Sequence, residues 1–424
     1  MINDASIEAV KQAQWNSHFI RPLYSTYCFS RIPHLLQSLF SGYDAGIQQQ
    51  FLGPLAGRYD KVILFFIDAF GWRFFERYAD DYPLLRRILD EGYATKLTSQ
   101  FPSTTAAHIT TIHTGLPVDR SGVFEWFYYE PNIDALIAPL LFSFAGDRES
   151  GTLLRAGVEP QDIFPYPIDT VYSRLAELGV RSSVHQDDAF TPSPHGAIAF
   201  KGADVVPFPN FSEGLSVLSE RILADREPTY HFLYFADIDS AGHEHGPNSS
   251  QFNAAVDTTM RQIDSFLTRV LKNSHGKTLF LMTADHGQTE TNPNTTFYIN
   301  REIPGFGQFI KTNRQGQLMV PGGSCRDLFL YIKDGYEAEV QEELAKRLKG
   351  RAEVYMVRDL IKDHFFGEGE PSKRFLDRVS NIVVLPYEGE GVYWYEEGRF
   401  DQPFWGHHGG LTRPEMETIL LALA

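Results

Sequence analysis

The sequence predicts an α/β fold, a mainly parallel central sheet sandwiched by helices, with inserted cap segments. Three apolar runs carry that reading: KVILFFID at 61–68, YHFLYFAD at 230–237 and TLFLMTADHG at 278–287. They stay apolar where a half-exposed strand would alternate, as strands buried on both faces do. Each also ends in a carboxylate, and α/β proteins place their sites at the carboxyl ends of parallel strands.

Taken in order, residues 1 to 58 are of mixed texture and read as a helical N-terminal extension, with RIPHLLQSLF (31–40) an amphipathic piece. The remainder, 59–424, reads as one domain. After the strand at 61–68, WRFFERYADDYPLLRRILDEG (72–92) has helical patterning and TKLTSQF (95–101) reads as a strand. In FPSTTAAHITTIHTG (101–115), Pro102 and Ser103 break that strand, and Ser103 or Thr104 caps a helix opening near Thr105. Ala106, Ala107, Ile109 and Ile112 form its apolar face, and Gly115 with Pro117 ends it. A side chain in its first turn faces unpaired backbone N–H groups and the positive end of the helix dipole, where a phosphate is held.

GVFEWFYYEP (122–131) is aromatic and extended, and 132–168 has little periodicity and reads as an insertion. A helix (Val171–Leu178), a strand (Arg181–His185), a loop rich in Pro and Gly, and a helix near 212–225 follow. Beyond Asp239 come a Gly- and His-rich loop and a long helix over 249–272. Residues 290–400 mix short strands, a helix (Tyr336–Leu348) and loops, a composition suited to a cap over the site. GHHGG (406–410) precedes a closing strand, TILLALA.

Composition narrows the function. Net charge is −16, with 38 basic against 54 acidic residues, which argues against binding a nucleic-acid polymer. An anionic substrate would then need local positive charge, such as bound metal ions supply. No segment approaches the roughly 20 apolar residues that span a membrane. The N-terminus lacks a basic start followed by an apolar run, so no signal peptide is expected. Two cysteines, Cys28 and Cys325, suggest a reducing, cytoplasmic setting.

Four strand-end positions carry metal-ligand chemistry. Asp239 precedes His243 by four residues, a spacing that turns both toward one ion on a turn or helix start. Asp285-His286 is an adjacent pair, His407-His408 sits between glycines, and Asp68 closes the first apolar run. Alone, such an Asp is ordinarily a cap, and a His in a glycine loop a surface residue. Together, all Asp or His, they form the nitrogen and oxygen donor set that zinc prefers, with manganese or iron as alternatives.

The segments IDAFG, FPSTTAAHITTIHTGLP, DIDSAGHEHGP, TADHG and GHHGG resemble, in order and spacing, those of the alkaline phosphatase superfamily, and most closely its nucleotide pyrophosphatase/phosphodiesterase branch. The match spans roughly 60 to 424. The resemblance implies a Thr or Ser nucleophile ten residues before the glycine that closes its helix, which is Thr105, with Thr104 as second candidate. It implies one zinc site of Asp239, His243 and His408, and another of Asp68, Asp285, His286 and Thr105 Oγ. His408 is preferred to His407 because the ligand directly precedes Gly, and Asp237 is left structural or supporting. The substrate implied is a small phosphate ester, nucleotides among the candidates.

The chemistry agrees. A threonine hydroxyl is a poor nucleophile near pH 7, and zinc coordination lowers its pKa without a histidine base. A covalent phosphothreonine follows, and the N–H of Ala106 can hold a non-bridging oxygen. One departure stands out. The branch holds the phosphate with an Asn shortly after the glycine that follows the nucleophile helix, and a count from Gly122 puts Trp126 there, beside Glu125. Trp offers only its N–H, and Glu repels phosphate unless it binds another cation or accepts from a substrate hydroxyl. His108, one turn beyond Thr105, and Arg326 are candidate anion contacts. Phe101, Trp126, Phe127 and Tyr128 are candidates for lining the pocket. A phosphomonoesterase on the same core is the alternative activity, and a metal-stabilised binding protein the alternative outside catalysis. A sulfatase is excluded, since neither Cys28 nor Cys325 stands in the Cys/Ser-x-Pro-x-Arg context that formylglycine formation needs.

Overall fold

The computed structural model describes residues 1–164 and 169–424, so the end of the insertion read at 132–168 lies outside the described residues. Among these residues the central sheet has seven strands: β1 (Lys61–Ile67), β2 (Tyr93–Thr98), β3 (Arg181–Asp187), β4 (Asp204–Phe208), β5 (Thr229–Phe235), β6 (Thr278–Thr283) and β7 (Glu417–Leu423). Their spatial order is β2-β7-β6-β1-β5-β3-β4. β1 runs parallel to β5 and β6, and β3 parallel to β5 and β4. β7 runs against both of its neighbours. The sheet is mainly parallel, as the three apolar runs predict.

Those runs are apolar throughout because both faces are covered. Alternate side chains of β1 point to opposite layers. Ile63, Phe65 and Ile67 pack with the helices Trp72–Tyr78, Pro83–Glu91, Phe211–Ala224 and Ser250–Asn273. Val62, Leu64 and Phe66 pack with Ile32–Ser41, Ala45–Leu52, Val171–Glu177 and the helix α1 (Thr105–Thr114). The N-terminal residues therefore supply part of a layer. Phe29, Ile32, Leu35, Leu36 and Leu39 are all fully buried there. At about 2 kcal/mol for each large apolar side chain removed from water, they contribute on the order of 10 kcal/mol of burial.

Two segments differ from their sequence reading. The Gly- and His-rich loop is a helix, α2 (Asp237–His245), followed by α3 (Ser250–Asn273). Its Gly242 is there for packing, since a Cβ would lie 1.9 Å from Gln288 Oε1. The Pro- and Gly-rich loop after β3 contains a short helix (Pro194–Ala199) and the edge strand β4. β4 is largely exposed and carries Pro207, tolerable only at a sheet edge, so its sequence lacks the apolar signal of the inner strands.

Within 290–400, Leu328–Leu330, Ile382–Pro386 and Ala352–Met356 form a small antiparallel sheet, with the helix Glu337–Arg347 packed on it. Among the described residues no helix is long and apolar enough to cross a membrane.

Candidate metal centre

The register of the sheet builds the first ligand group. Phe66 lies opposite Thr283 in the parallel pair β1–β6, so the second residue beyond each, Asp68 and Asp285, emerges at the same edge. The chain turns sharply after Asp68. Ala69 takes a positive φ of 60° and donates its N–H to Asp285 Oδ1 at 3.2 Å. A non-glycine residue in that region costs on the order of 1 kcal/mol, offset here by the bond that joins the two turns. Gly71 and Gly287 let the turns touch, since a Cβ on Gly71 would sit 2.7 Å from the Cα of Gly287.

His286 Nε2 lies 3.1 Å from Asp285 Oδ2 and 3.6 Å from Asp68 Oδ1, while its Nδ1 donates to Gly287 O at 3.0 Å. Thr105 is the first residue of α1. Its Oγ1 stands 3.4 Å from Asp68 Oδ2 and 3.3 Å from His286 Nε2. Thr104 precedes the helix in extended backbone, and its side chain turns to Glu125 instead.

Helical spacing builds the second group. Asp239 and His243, one turn apart on α2, approach to 3.2 Å between Oδ2 and Nε2. His408 Nε2 arrives from the C-terminal loop, 3.2 Å from His243 Nε2 and 3.7 Å from Asp239 Oδ1. The outer nitrogens are spoken for. His243 Nδ1 donates to Gly406 O at 2.8 Å and His408 Nδ1 to Ser103 O at 2.9 Å, which leaves both Nε2 lone pairs facing Asp239.

A cation fits both groups on the chemistry of their donors. Asp68, Asp285 and His286 each offer a ligand atom within 4.8 Å of the others, as do Asp239, His243 and His408. Asp68 Oδ1 and Asp285 Oδ2 are buried with no hydrogen-bond partner. Burial, then the neighbouring Asp285 and Asp239, push the Asp68 carboxyl well above the usual carboxylate range. Burial opposes a proton on His286, but Asp285 outweighs it and its pKa rises, so positive charge is drawn to the spot. Burial and the nearby His286 hold His408 well below the usual imidazole range, which keeps its lone pair free.

Two residues of this frame, Tyr234 and Gln288, carry no sequence signal of their own. Ser103, read as a possible helix cap, has a different role, since the helix has no side-chain cap. Tyr234, opposite Phe66 in β5, donates its hydroxyl to Asp68 Oδ2 at 2.6 Å. Gln288 Nε2 donates to Asp239 Oδ1 at 2.6 Å and to Asp239 O at 3.0 Å. Ser103 donates its hydroxyl to Gly410 O at 2.8 Å and so fastens the loop that bears His408. A Tyr within an apolar strand reads as core, and only its place after ADHG could have marked Gln288.

The Oγ1 of Thr105 opens on a cleft of about 430 Å³, bounded by Trp126, Phe127, Tyr393, Phe400 and Phe404 and reached also by Glu125, Asp239, His243, His407 and His408. Gly323–Cys325 and Arg399–Phe404 bring part of the 290–400 region to its rim. A larger cavity, about 760 Å³, shares only Arg399 with it and lies away from both ligand groups.

Other candidate contacts fall elsewhere. His108 is fully buried, with Nδ1 donating to Thr104 O at 2.7 Å and Nε2 accepting from Gln100 N at 3.0 Å, so it braces the turn and does not face the cleft. Arg326 is fully buried on Glu415, with two contacts of 2.9 Å, and is not an anion contact. Phe101 packs on Phe366 and Tyr128 under Arg378, both in the core. Asp237 opens α2, exposed and outside both ligand groups.

Comparison with known proteins extends this geometry. Ectonucleotide pyrophosphatase/phosphodiesterase family member 1 of Mus musculus is 23% identical over 346 residues, 77% of this chain. Member 3 of Mus musculus is 23% identical over 260 residues, 57% of this chain and 26% of that protein. The chain spans only 35% of the length of the member 1 relative. Among solved structures, murine ectonucleotide pyrophosphatase/phosphodiesterase 5, an inactive variant in complex with AMP, superposes with a TM-score of 0.63 at 17% identity, covering 86% of this chain and 87% of that one. Phosphonoacetate hydrolase from Sinorhizobium meliloti 1021, in complex with phosphonoacetate, has a TM-score of 0.57 at 19% identity, covering 85% and 89%. The family model for type I phosphodiesterase / nucleotide pyrophosphatase matches residues 62–411, which take in every sheet strand but β7 and every residue of both ligand groups, and the chain belongs to that family.

Proposed function

We propose that this chain is a metal-dependent hydrolase of phosphodiester or pyrophosphate bonds, working through a covalent phosphothreonine at Thr105 with two zinc ions. One observation carries the reading most. The Thr105 hydroxyl, in the first residue of α1, lies within 3.4 Å of one ligand group and opens, with the other group, on the same cleft. Asp239, His243 and His408 would hold one ion, and Asp68, Asp285 and His286 the other. When bound, such ions lower the pKa of a coordinated hydroxyl and stabilise the charge of a departing oxygen.

The remaining work falls to the chain. Thr105 Oγ forms the new bond to phosphorus as the bond to the leaving group breaks, and its proton goes to solvent. The N–H of Ala106, in the first turn of α1, can hold a non-bridging oxygen, and the helix dipole favours its charge. Asp68 is held in place by Tyr234, so the carboxylate beside Thr105 keeps its orientation. Water then cleaves the phosphothreonine and frees the hydroxyl. The AMP carried by the structural neighbour supports a nucleotide-sized substrate, and the aromatic walls of the cleft suit a planar base.

A second reading, phosphomonoester hydrolysis, is favoured by Glu125 and Trp126 at the cleft, where the resemblance calls for Asn. Hydrolysis of bis-(p-nitrophenyl) phosphate against p-nitrophenyl phosphate by zinc-loaded protein, with Thr105→Ala as blank, decides. Faster diester cleavage that the variant abolishes supports the proposal. Faster monoester cleavage moves the chain to the second reading, and activity that survives in the variant rules out the phosphothreonine.

A further inference from the structure

We propose that Glu125 and Asp327 hold a third cation, a hard divalent ion of the magnesium or calcium class, at the wall of the cleft. Two loops far apart in sequence bring these carboxyl groups together. Glu125 is 1% exposed and Asp327 fully buried. Asp327 Oδ1 accepts from the N–H of Ser324 at 3.1 Å and from its hydroxyl at 2.6 Å. Asp327 Oδ2 is buried with no hydrogen-bond donor; the Asp327 carboxyl pairs with that of Glu125, which also meets the Thr104 hydroxyl and accepts the N–H of Trp126.

Among the described residues no ion pair joins either carboxyl to a cationic side chain, and only more distant positive charge, from His286 on Glu125 and Arg326 on Asp327, acts on them. The adjacent guanidinium of Arg326 is committed to Glu415 and to the carbonyls of Pro386, Tyr387 and Glu390. Two carboxylates taken out of water side by side repel each other strongly unless positive charge joins them or they share a proton. Burial accordingly pushes Glu125 up to about 7 and Asp327 well above the usual range. The available donors are two carboxylates and the Thr104 hydroxyl, all oxygen, the set that suits magnesium, calcium or manganese and not zinc. Glu125, Thr104 and Ser324 also line the cleft, so open coordination positions face water or a phosphoryl oxygen. A cation there removes the repulsion that Glu125 would otherwise exert on phosphate.

The role in phosphate binding rests on the proposed function, but occupancy of the site does not, and the test separates them. Protein saturated with zinc is equilibrated with millimolar manganese or magnesium, desalted, and its metals are counted. Terbium luminescence excited through Trp126, next to Glu125, reports the same site. Two zinc ions plus one hard ion, with terbium displaced by magnesium, are expected. Glu125→Gln and Asp327→Asn, each checked for native circular dichroism, should bind the third ion at least about tenfold more weakly and keep both zinc ions. The amide oxygen introduced by Asp327→Asn keeps an acceptor for Ser324, and the Glu125 variant serves alone should the other not fold. A third ion retained in a chain that binds no zinc would sink the two-zinc reading and support this one. Two zinc ions with no hard ion, or a third ion indifferent to Glu125→Gln, would overturn it and leave a shared proton between the carboxyls.

Discussion

His286 and His408 stack face to face, with ring centroids 3.6 Å apart and planes 15° from parallel. One belongs to the strand-end group and the other to the helix group, so the contact joins the two halves of the centre. Both rings are fixed from behind, by Gly287 O and Ser103 O. Two imidazoles so held cannot turn apart, and the positions their Nε2 atoms serve stay neighbours.

Removing metal should cost stability. Without a cation, Asp68 and Asp285 face each other buried, each with an oxygen lacking a donor. Ligand at a thousand times its Kd stabilises by about 4 kcal/mol. The melting temperature should therefore fall on chelation and return on adding zinc. Identical melting curves with chelator and with excess zinc would mean that the groups bind no ion.

Gln288→Ala should weaken one ion selectively. Gln288 holds Asp239 by both its carbonyl and its carboxylate, and residues that orient a ligand in this way typically change metal affinity by about 10- to 100-fold. Titration against a competing chelator should show one of two ions released earlier, with the other unchanged. Equal weakening of both would assign Gln288 to the fold instead.

Arg326→Ala should damage the fold, not substrate binding. It leaves Glu415 buried without its partner, a change that typically destabilises by about 3–5 kcal/mol. Urea unfolding should show this loss, and the double change Arg326→Met with Glu415→Met should be milder. A raised KM at undiminished stability would restore Arg326 as an anion contact.

These cases show what the sequence could carry. Asp68, Asp239 and Asp285 are legible because each follows a run long enough to be a buried strand, and strand ends in parallel sheets converge. His408 follows no such run and is marked only by its glycine neighbours and the family resemblance. Helix α2 was not legible, because Gly242 reads as a loop signal when its reason is the amide of Gln288 pressed against it. Arg326 with Glu415, and Glu125 with Asp327, are pairs made by tertiary contact. A single sequence gives such charges no partner, so Arg326 reads as a free cation and Glu125 as a lone acid. His108 reads more readily as a helix-face residue than as a phosphate contact, and its ring on Thr104 and Gln100 rules the contact out.

Acid should weaken the fold through the same buried histidine. Desolvation holds His108 at about 4 against an ordinary value of 6.5, despite the opposing pull of Asp285. Its Nε2 accepts from Gln100 N, so a proton there would break the bond as well as bury a charge. The unfolded chain binds the proton first as pH falls below about 6.5, and the folded chain only near 4. Stability contributed by neutral His108 is therefore whole above 6.5, declines between 6.5 and 4, and levels off below. The full decline is about 3 kcal/mol. Urea unfolding from pH 7.5 to 4.5 should show it, and His108→Gln should flatten that part of the slope even though the variant starts less stable. His195, buried and likewise held at about 4, will leave a residual slope. Identical slopes in the two proteins would show that His108 already carries its proton in the folded state, and the tautomer that braces the turn before Thr105 would be wrong.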